Sequence, residues 1–140
     1  MFVKQLSVFI ENREGRLEQV TDVIRKENIN ILSLSMADTT EYGLLRMVVS
    51  DPEKAKAALT EGGFSAMLTS MLAVKLEDKV GALHKMTHIL CSQGLNIEYM
   101  YALASADRRA MIVKASDGEA AGKAILEGGM ELYSNEEMCR

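Results

Sequence analysis

Apolar and polar residues along this chain follow two periods, and the switch between them happens in the same order twice. In "LSVFI", Leu6, Val8 and Ile10 fall on one side of an extended segment, the period of two expected of a strand with one buried face. Leu17, Val20, Thr21 and Ile24 then recur at helical spacing, which predicts a helix running into Asn28 as its terminator. "INILSLSMA" predicts a second strand, the polar "DTTEYG" a turn, and "LLRMVVS" a third strand, so the last two strands should form a hairpin. Ser50-Asp51-Pro52 predicts a helix start, because an oxygen-bearing side chain satisfies first-turn N–H groups and proline suits the first helical position. "EKAKAALTE" continues that helix, Gly62-Gly63 closes it, and "FSAML" predicts a last strand.

Sliding the chain against itself by 66 residues repeats the pattern without a gap: Leu6 meets Leu72, Glu11 meets Glu77, Gly15 meets Gly81, and Leu17 meets Leu83. Asn30-Ile31 meets Asn96-Ile97, Ser50-Asp51 meets Ser116-Asp117, and the "EGG" at 61–63 meets that at 127–129. Such register argues for two copies of one fold. In the second copy the first helix runs into Gly94, "SDGEAAGKAILEGG" is a weaker helix than its twin because of Gly118 and Gly122, and "MELYS" predicts the last strand.

The order strand, helix, strand, strand, helix, strand is that of a ferredoxin-like βαββαβ unit, in which two helices cover one face of an antiparallel sheet. The class is therefore α+β, with domains expected at 1–69 and 70–140. A lone unit of this size has a marginal core, and no Pro or Gly interrupts residues 64–77. We therefore expect packing of the copies with approximate two-fold symmetry, and ligand sites at the interface between units.

Composition narrows the function. A 140-residue chain with net charge −4 has no electrostatic reason to bind nucleic acid, and no apolar run reaches the roughly 20 residues needed to span a membrane. Cys91 and Cys139 form no CxxC spacing and suit a reducing, cytoplasmic location. His84 and His88 are spaced to share a metal, yet no third ligand is evident and their counterparts, Glu18 and Asp22, lie off the apolar stripe; solvent-facing histidines are the expectation. No Ser-His-Asp or Cys-His set converges by spacing, so no cofactor is expected and a binding protein is expected ahead of a small enzyme on the same scaffold. Paired cysteines for metal transport and strand aromatics for RNA are equally missing from the loops "ENREG" and "EDKVG" and the strands "LLRMVV" and "AMIVKA". The ten methionines, such as Met36, Met47, Met67, Met71, Met86, Met100 and Met111, read as core filling, or as a plastic surface for a partner.

The chemistry-bearing residues cluster at the two strand-to-helix turns. Gly15 and Gly81 would let a ligand approach the backbone where a helix N-terminus offers unpaired N–H groups and partial positive charge to a carboxylate. Asn12 or Asp78 would supply acceptor oxygens for an ammonium, with Asn30 or Asn96 reaching from the neighbouring copy's second strand. A tight turn alone also explains each glycine, and a strand opening each asparagine. The two pockets should differ, because Asp78 is charged where Asn12 is neutral and Ala82 leaves room where Arg16 stands.

With strand one, then "ENREGRL" or "EDKVGAL", then a helix and an Asn-Ile pair opening strand two, the chain resembles the ACT domain twice over. That family comprises amino-acid-sensing regulatory modules of metabolic enzymes, and a tandem pair without a catalytic domain is similar to free-standing bacterial ACT repeats, some associated with acetolactate synthase regulation. The resemblance implies an amino acid ligand at Asn12, Arg13, Glu14, Gly15, Arg16, Leu17, Asn30 and Ile31, and at Asp78, Lys79, Val80, Gly81, Ala82, Leu83, Asn96 and Ile97. It also implies a partner biosynthetic enzyme, acetolactate synthase being one such, that holds the chain as a regulatory subunit or reads its ligand state, and a further homodimer. Two departures matter. Glu14 and Val80 stand where such loops often carry proline, and Ile10 and Leu76 stand where the serine-sensing domains of phosphoglycerate dehydrogenases carry histidine, so serine does not carry over.

Overall fold

The computed structural model describes residues 1–38 and 42–139. The elements are β1 (Val3–Glu11), α1 (Arg16–Lys26), β2 (Ile31–Asp38), β3 (Tyr42–Val49), α2 (Pro52–Glu61), β4 (Ser65–Lys75), α3 (Ala82–Ser92), β5 (Ile97–Ala104), β6 (Arg109–Ala115), α4 (Gly118–Glu127) and α5 (Asn135–Met138). They form two compact βαββαβ units. One is built on Lys4–Ser70 and the other on Met71–Met138 together with Met1–Val3.

In the first unit β3 lies between β1 and β2, antiparallel to both, with Leu6 opposite Met47 and Val8 opposite Leu45. Leu6, Val8 and Ile10 share one core with Leu45, Met47 and Val49 from the sheet and with Val20, Ile24, Ala55 and Leu59 from the helices. The period of two in the strands and of 3.6 in the helices thus meet in a single apolar layer, with both helices on one face. The second unit repeats the arrangement. Leu72 stands opposite Val113 and Val74 opposite Met111, β5 pairs β6, and Leu72, Val74, Val113, Met86, Leu90, Ala121 and Ile125 fill the core. Even an irregularity repeats: the register slips between Ile31 and Ser33 in one copy and between Ile97 and Tyr99 in the other.

Most boundaries fall where side-chain chemistry puts them. Asp51 accepts a hydrogen bond from the Lys54 N–H at 3.2 Å, Pro52 occupies the first helical position, and Asp117 caps α4 through the Ala120 N–H at 3.1 Å. Asn28, at φ 58°, and Gly94, at φ 70°, turn the chain out of α1 and α3 through the left-handed region. The hairpin turn expected at "DTTEYG" lies largely outside the described residues, which omit 39–41.

Two features depart from the sequence expectation. "FSAML" is not a strand of its own: with no Gly or Pro to interrupt it, extended backbone runs unbroken through Lys75 as β4. "MELYS" is not a strand at all but a single bridge between Leu132 and Val74. Ser134 and Glu137 divert the chain, because the Ser134 Oγ accepts from the Glu137 N–H at 3.1 Å while the Glu137 carboxylate accepts from the Ser134 N–H at 3.0 Å. That reciprocal capping box starts α5.

Gly118 and Gly122 also have a packing reason. A Cβ on Gly122 would lie 2.6 Å from the Met1 Sδ, and one on Gly118 3.1 Å from the Phe2 Cε1. The chain start lies against α4, and the low helix propensity of these two glycines makes room for it.

Candidate functional site

Both glycine turns have the same geometry. Gly15 and Gly81 sit at the N-caps of α1 and α3 with φ of 84° and 88°, a left-handed conformation that costs glycine nothing. The preceding loops match as well: the Arg13 N–H donates to the Glu11 carbonyl at 2.9 Å and the Lys79 N–H to the Glu77 carbonyl at 3.0 Å. Glycine has no side chain to offer, so neither helix start carries a side-chain cap, whereas α2 and α4 each have an aspartate. The Arg16 N–H donates to the Arg13 carbonyl at 3.4 Å and the Ala82 N–H to the Lys79 carbonyl at 3.3 Å, so the loop backbone takes one first-turn donor in each copy and no side chain takes the next ones.

The neighbourhoods of the two turns differ. Beside Gly81 a cleft of about 520 Å³ opens within the second unit, inside the roughly 300–1,000 Å³ range of small-molecule sites. The end of β4 and the start of α3 contribute Lys75, Leu76, Glu77, Lys79, Ala82 and Lys85, the β5–β6 hairpin contributes Ser105, Ala106, Asp107, Arg108 and Arg109, and the stretch after α4 contributes Gly129, Met130, Glu131 and Tyr133. Five cations face three carboxylates. Lys79 pairs with Glu77 at 2.8 Å and Lys75 with Glu131 at 3.7 Å, while Arg108 reaches Asp107 at 3.9 Å and donates to the Glu137 and Met138 carbonyls. Among the described residues Lys85 has no ion pair within 4 Å. The hydrogen bond from Lys79, reinforced by the positive charge of Lys79 and Lys85, holds the Glu77 carboxyl below its ordinary pKa.

Beside Gly15 the matching space holds a side chain. Arg16, the counterpart of Ala82, lays its guanidinium over the Phe64 ring at 4.6 Å and donates from Nη1 to the Gln19 Oε1 at 2.7 Å. Phe64 is the counterpart of Met130 and Gln19 of Lys85, so two positions that line the cleft in one unit hold Arg16 in the other.

The expected binding residues separate into groups. Ala82 and Lys79 line the cleft, and Gly81 lies beside it. Asp78 is outside the lining and pairs with the wall residue Arg109 at 3.5 Å. Val80 is fully exposed and Leu83 40% exposed. In the first turn Arg13 pairs with Glu11 at 3.0 Å, Leu17 is 36% exposed, and Asn12 and Glu14 are exposed. Asn30 and Asn96 lie elsewhere. Their N–H groups donate to the Ser50 and Ser116 hydroxyls at 2.9 and 3.2 Å, and their carbonyls accept from the same serines' N–H groups, which fixes the strand start in each copy. Ile97 joins the second core, Ile31 packs on the first, and Asn30-Ile31 edge a separate hollow of about 420 Å³ with Thr21, Arg25 and Asn28. The 11-residue α1 or α3 puts ~16 Å between turn and asparagine of one unit. A ligand touching both would need them from different copies of the fold. His84 and His88 are exposed and stack at 6.0 Å, and among the described residues no group of three potential ligands gathers for a metal.

Sequence reasoning missed the cationic wall, although a signal was present. Across the 66-residue register four neutral residues, Phe9, Gln19, Tyr42 and Gly43, become Lys75, Lys85, Arg108 and Arg109, and all four cations line the cleft.

The ACT domain pair family model matches residues 1–140. A crystal structure of a Bacteroides thetaiotaomicron protein is similar over 100% of this chain and 97% of its own, at 35% identity and a TM-score of 0.94. The ligand-free regulatory subunit of aspartate kinase from Thermus thermophilus shares the fold over 90% of this chain and 92% of its own, at 21% identity and a TM-score of 0.60, and its Thermus flavus equivalent does so at 20% and 0.56 over 89% and 91%. No curated protein sequence matches. With the family match spanning its whole length, the chain belongs to the ACT domain pairs, a regulatory and ligand-binding type of module.

Proposed function

We propose that this ACT pair senses an amino acid held in the cleft of its second unit and passes the occupied state to an enzyme of amino acid metabolism. The observation that carries the reading is the cleft itself: a small-molecule-sized hollow beside a helix start without a side-chain cap, walled by residues of both charges. A zwitterion needs both. Its carboxylate is drawn to the α3 N-terminus and to Lys85, where the helix dipole and an unpaired ammonium act together. Its ammonium meets Glu77, Asp107 or Glu131. Asp78 adds negative charge at the edge of the cleft, where it pairs with Arg109 at 3.5 Å.

Signalling requires the ligand to bind two states of the protein unequally. A shared fold with separate regulatory subunits of aspartate kinase is compatible with action on another chain, either transient or as a permanently held subunit, and purification from native extract distinguishes these by whether an enzyme comes along.

Thermal denaturation against a panel of proteinogenic amino acids tests the reading. A ligand at a hundred times its dissociation constant adds ~2.7 kcal/mol to stability, so a ranked set of shifts is expected, and Lys85→Met should weaken the best binder about tenfold or more, the worth of a charge-assisted hydrogen bond. A flat response across the panel would remove the amino acid from the proposal.

A further inference from the structure

We infer that the first unit contains a second, latent copy of the same binding site, closed by Arg16, so that each chain carries one working site. The inference rests on the reading of the second-unit cleft as a ligand site and adds what the twin position does. Arg16 opens α1 as Ala82 opens α3, and its guanidinium lies on Phe64, whose counterpart Met130 lines the open cleft. The hydrogen bond to Gln19 is made at the position where the open cleft presents Lys85.

The arrangement is a poor resting place for a surface arginine. Its Nε is buried and finds no hydrogen-bond partner among the described residues, although a solvated guanidinium would satisfy all five of its donors. Burying that atom is worthwhile only against the flat ring beneath it, where cation–π attraction and apolar contact hold the group in place. Arg16 therefore fills a preformed hollow from within. Where it stands, an incoming ligand finds a cation fixed on an aromatic floor instead of a cavity. The same comparison orders the charge pattern: the unit with the open cleft has Ala82 where the other has Arg16, and it has four cations along the cleft where the other has neutral residues.

Two measurements test this. Methylguanidinium, a mimic of the arginine head, at millimolar concentration should raise the melting temperature of Arg16→Ala and leave that of the wild type unchanged, because only the variant has an empty seat on Phe64. Equal shifts in both proteins, or none in the variant, would overturn the inference. Separately, calorimetric titration with the best amino acid from the thermal screen should give one site per chain in the wild type and two in Arg16→Ala. Two sites in the wild type, or one in a folded Arg16→Ala, would also sink it. Should Arg16→Ala fold poorly, Ala82→Arg serves instead: it should abolish that amino acid's binding while keeping the wild-type melting temperature, and retained binding would count against the plug. A wild type that binds no amino acid defeats the proposed function, and the methylguanidinium result still decides whether Arg16 closes a hollow.

Discussion

Glu77 shows how much one exposed carboxylate can report. The hydrogen bond from Lys79 lowers its pKa in the folded protein, with Lys79 and Lys85 adding charge in the same direction. A group whose folded value is depressed contributes stability above its unfolded value, and that contribution disappears as pH falls through the folded value. The melting temperatures of wild type and Glu77→Gln should therefore differ at neutral pH and converge as the solution is acidified through the carboxylate range. A gap that widens on acidification would mean that Lys79 does not hold the ionised form. At the same scale Ser50 and Ser116 account for a repeated motif: each serine locks an asparagine backbone at a strand start, while the aspartate that follows caps a helix. The "SD" pair recurs because both tasks recur, with no ligand required to explain it.

At the level of elements, the starts of the four longer helices divide by chemistry. Helices α2 and α4 are closed by Asp51 and Asp117, and α1 and α3 open on left-handed glycines without a side-chain cap. Asp51→Ala and Asp117→Ala should each cost about 1 kcal/mol, read as a lower urea midpoint at unchanged slope. Losses near zero would show that neighbouring groups replace the carboxylate. Legibility at this scale was high wherever one residue type controls the backbone, as at Pro52, Asn28 and Gly94. It failed at "MELYS", where the apolar alternation was real but a two-residue capping box starting at Ser134 prevailed over a short strand.

For the molecule as a whole, the chain start is informative. Met1–Val3 belong to the unit otherwise made of Met71–Met138, and Phe2 packs against that unit's core. Phe2→Ala should destabilise the second unit by about 1–3 kcal/mol, less than a fully buried phenylalanine would cost. Hydrogen exchange locates the effect: amides of α4 should lose protection while those of α2 keep theirs. Loss confined to α2 would contradict the packing of Phe2 near Gly118.

By itself the sequence determined the duplication, the order of elements in each copy as far as its second helix and the two glycine turns, because each depends on local spacing or on a residue with restricted backbone freedom. It also marked the Arg16 and Ala82 positions as unlike. Tertiary structure alone decided what that difference means. Lys75, Lys85, Arg108 and Arg109 are separated along the chain and meet only when hairpin, strand end and helix start converge, and no local period encodes that meeting. The same holds for Arg16 on Phe64 and for Met1 over Gly122: a residue's space is set by what folds against it, and the chain order does not carry that information.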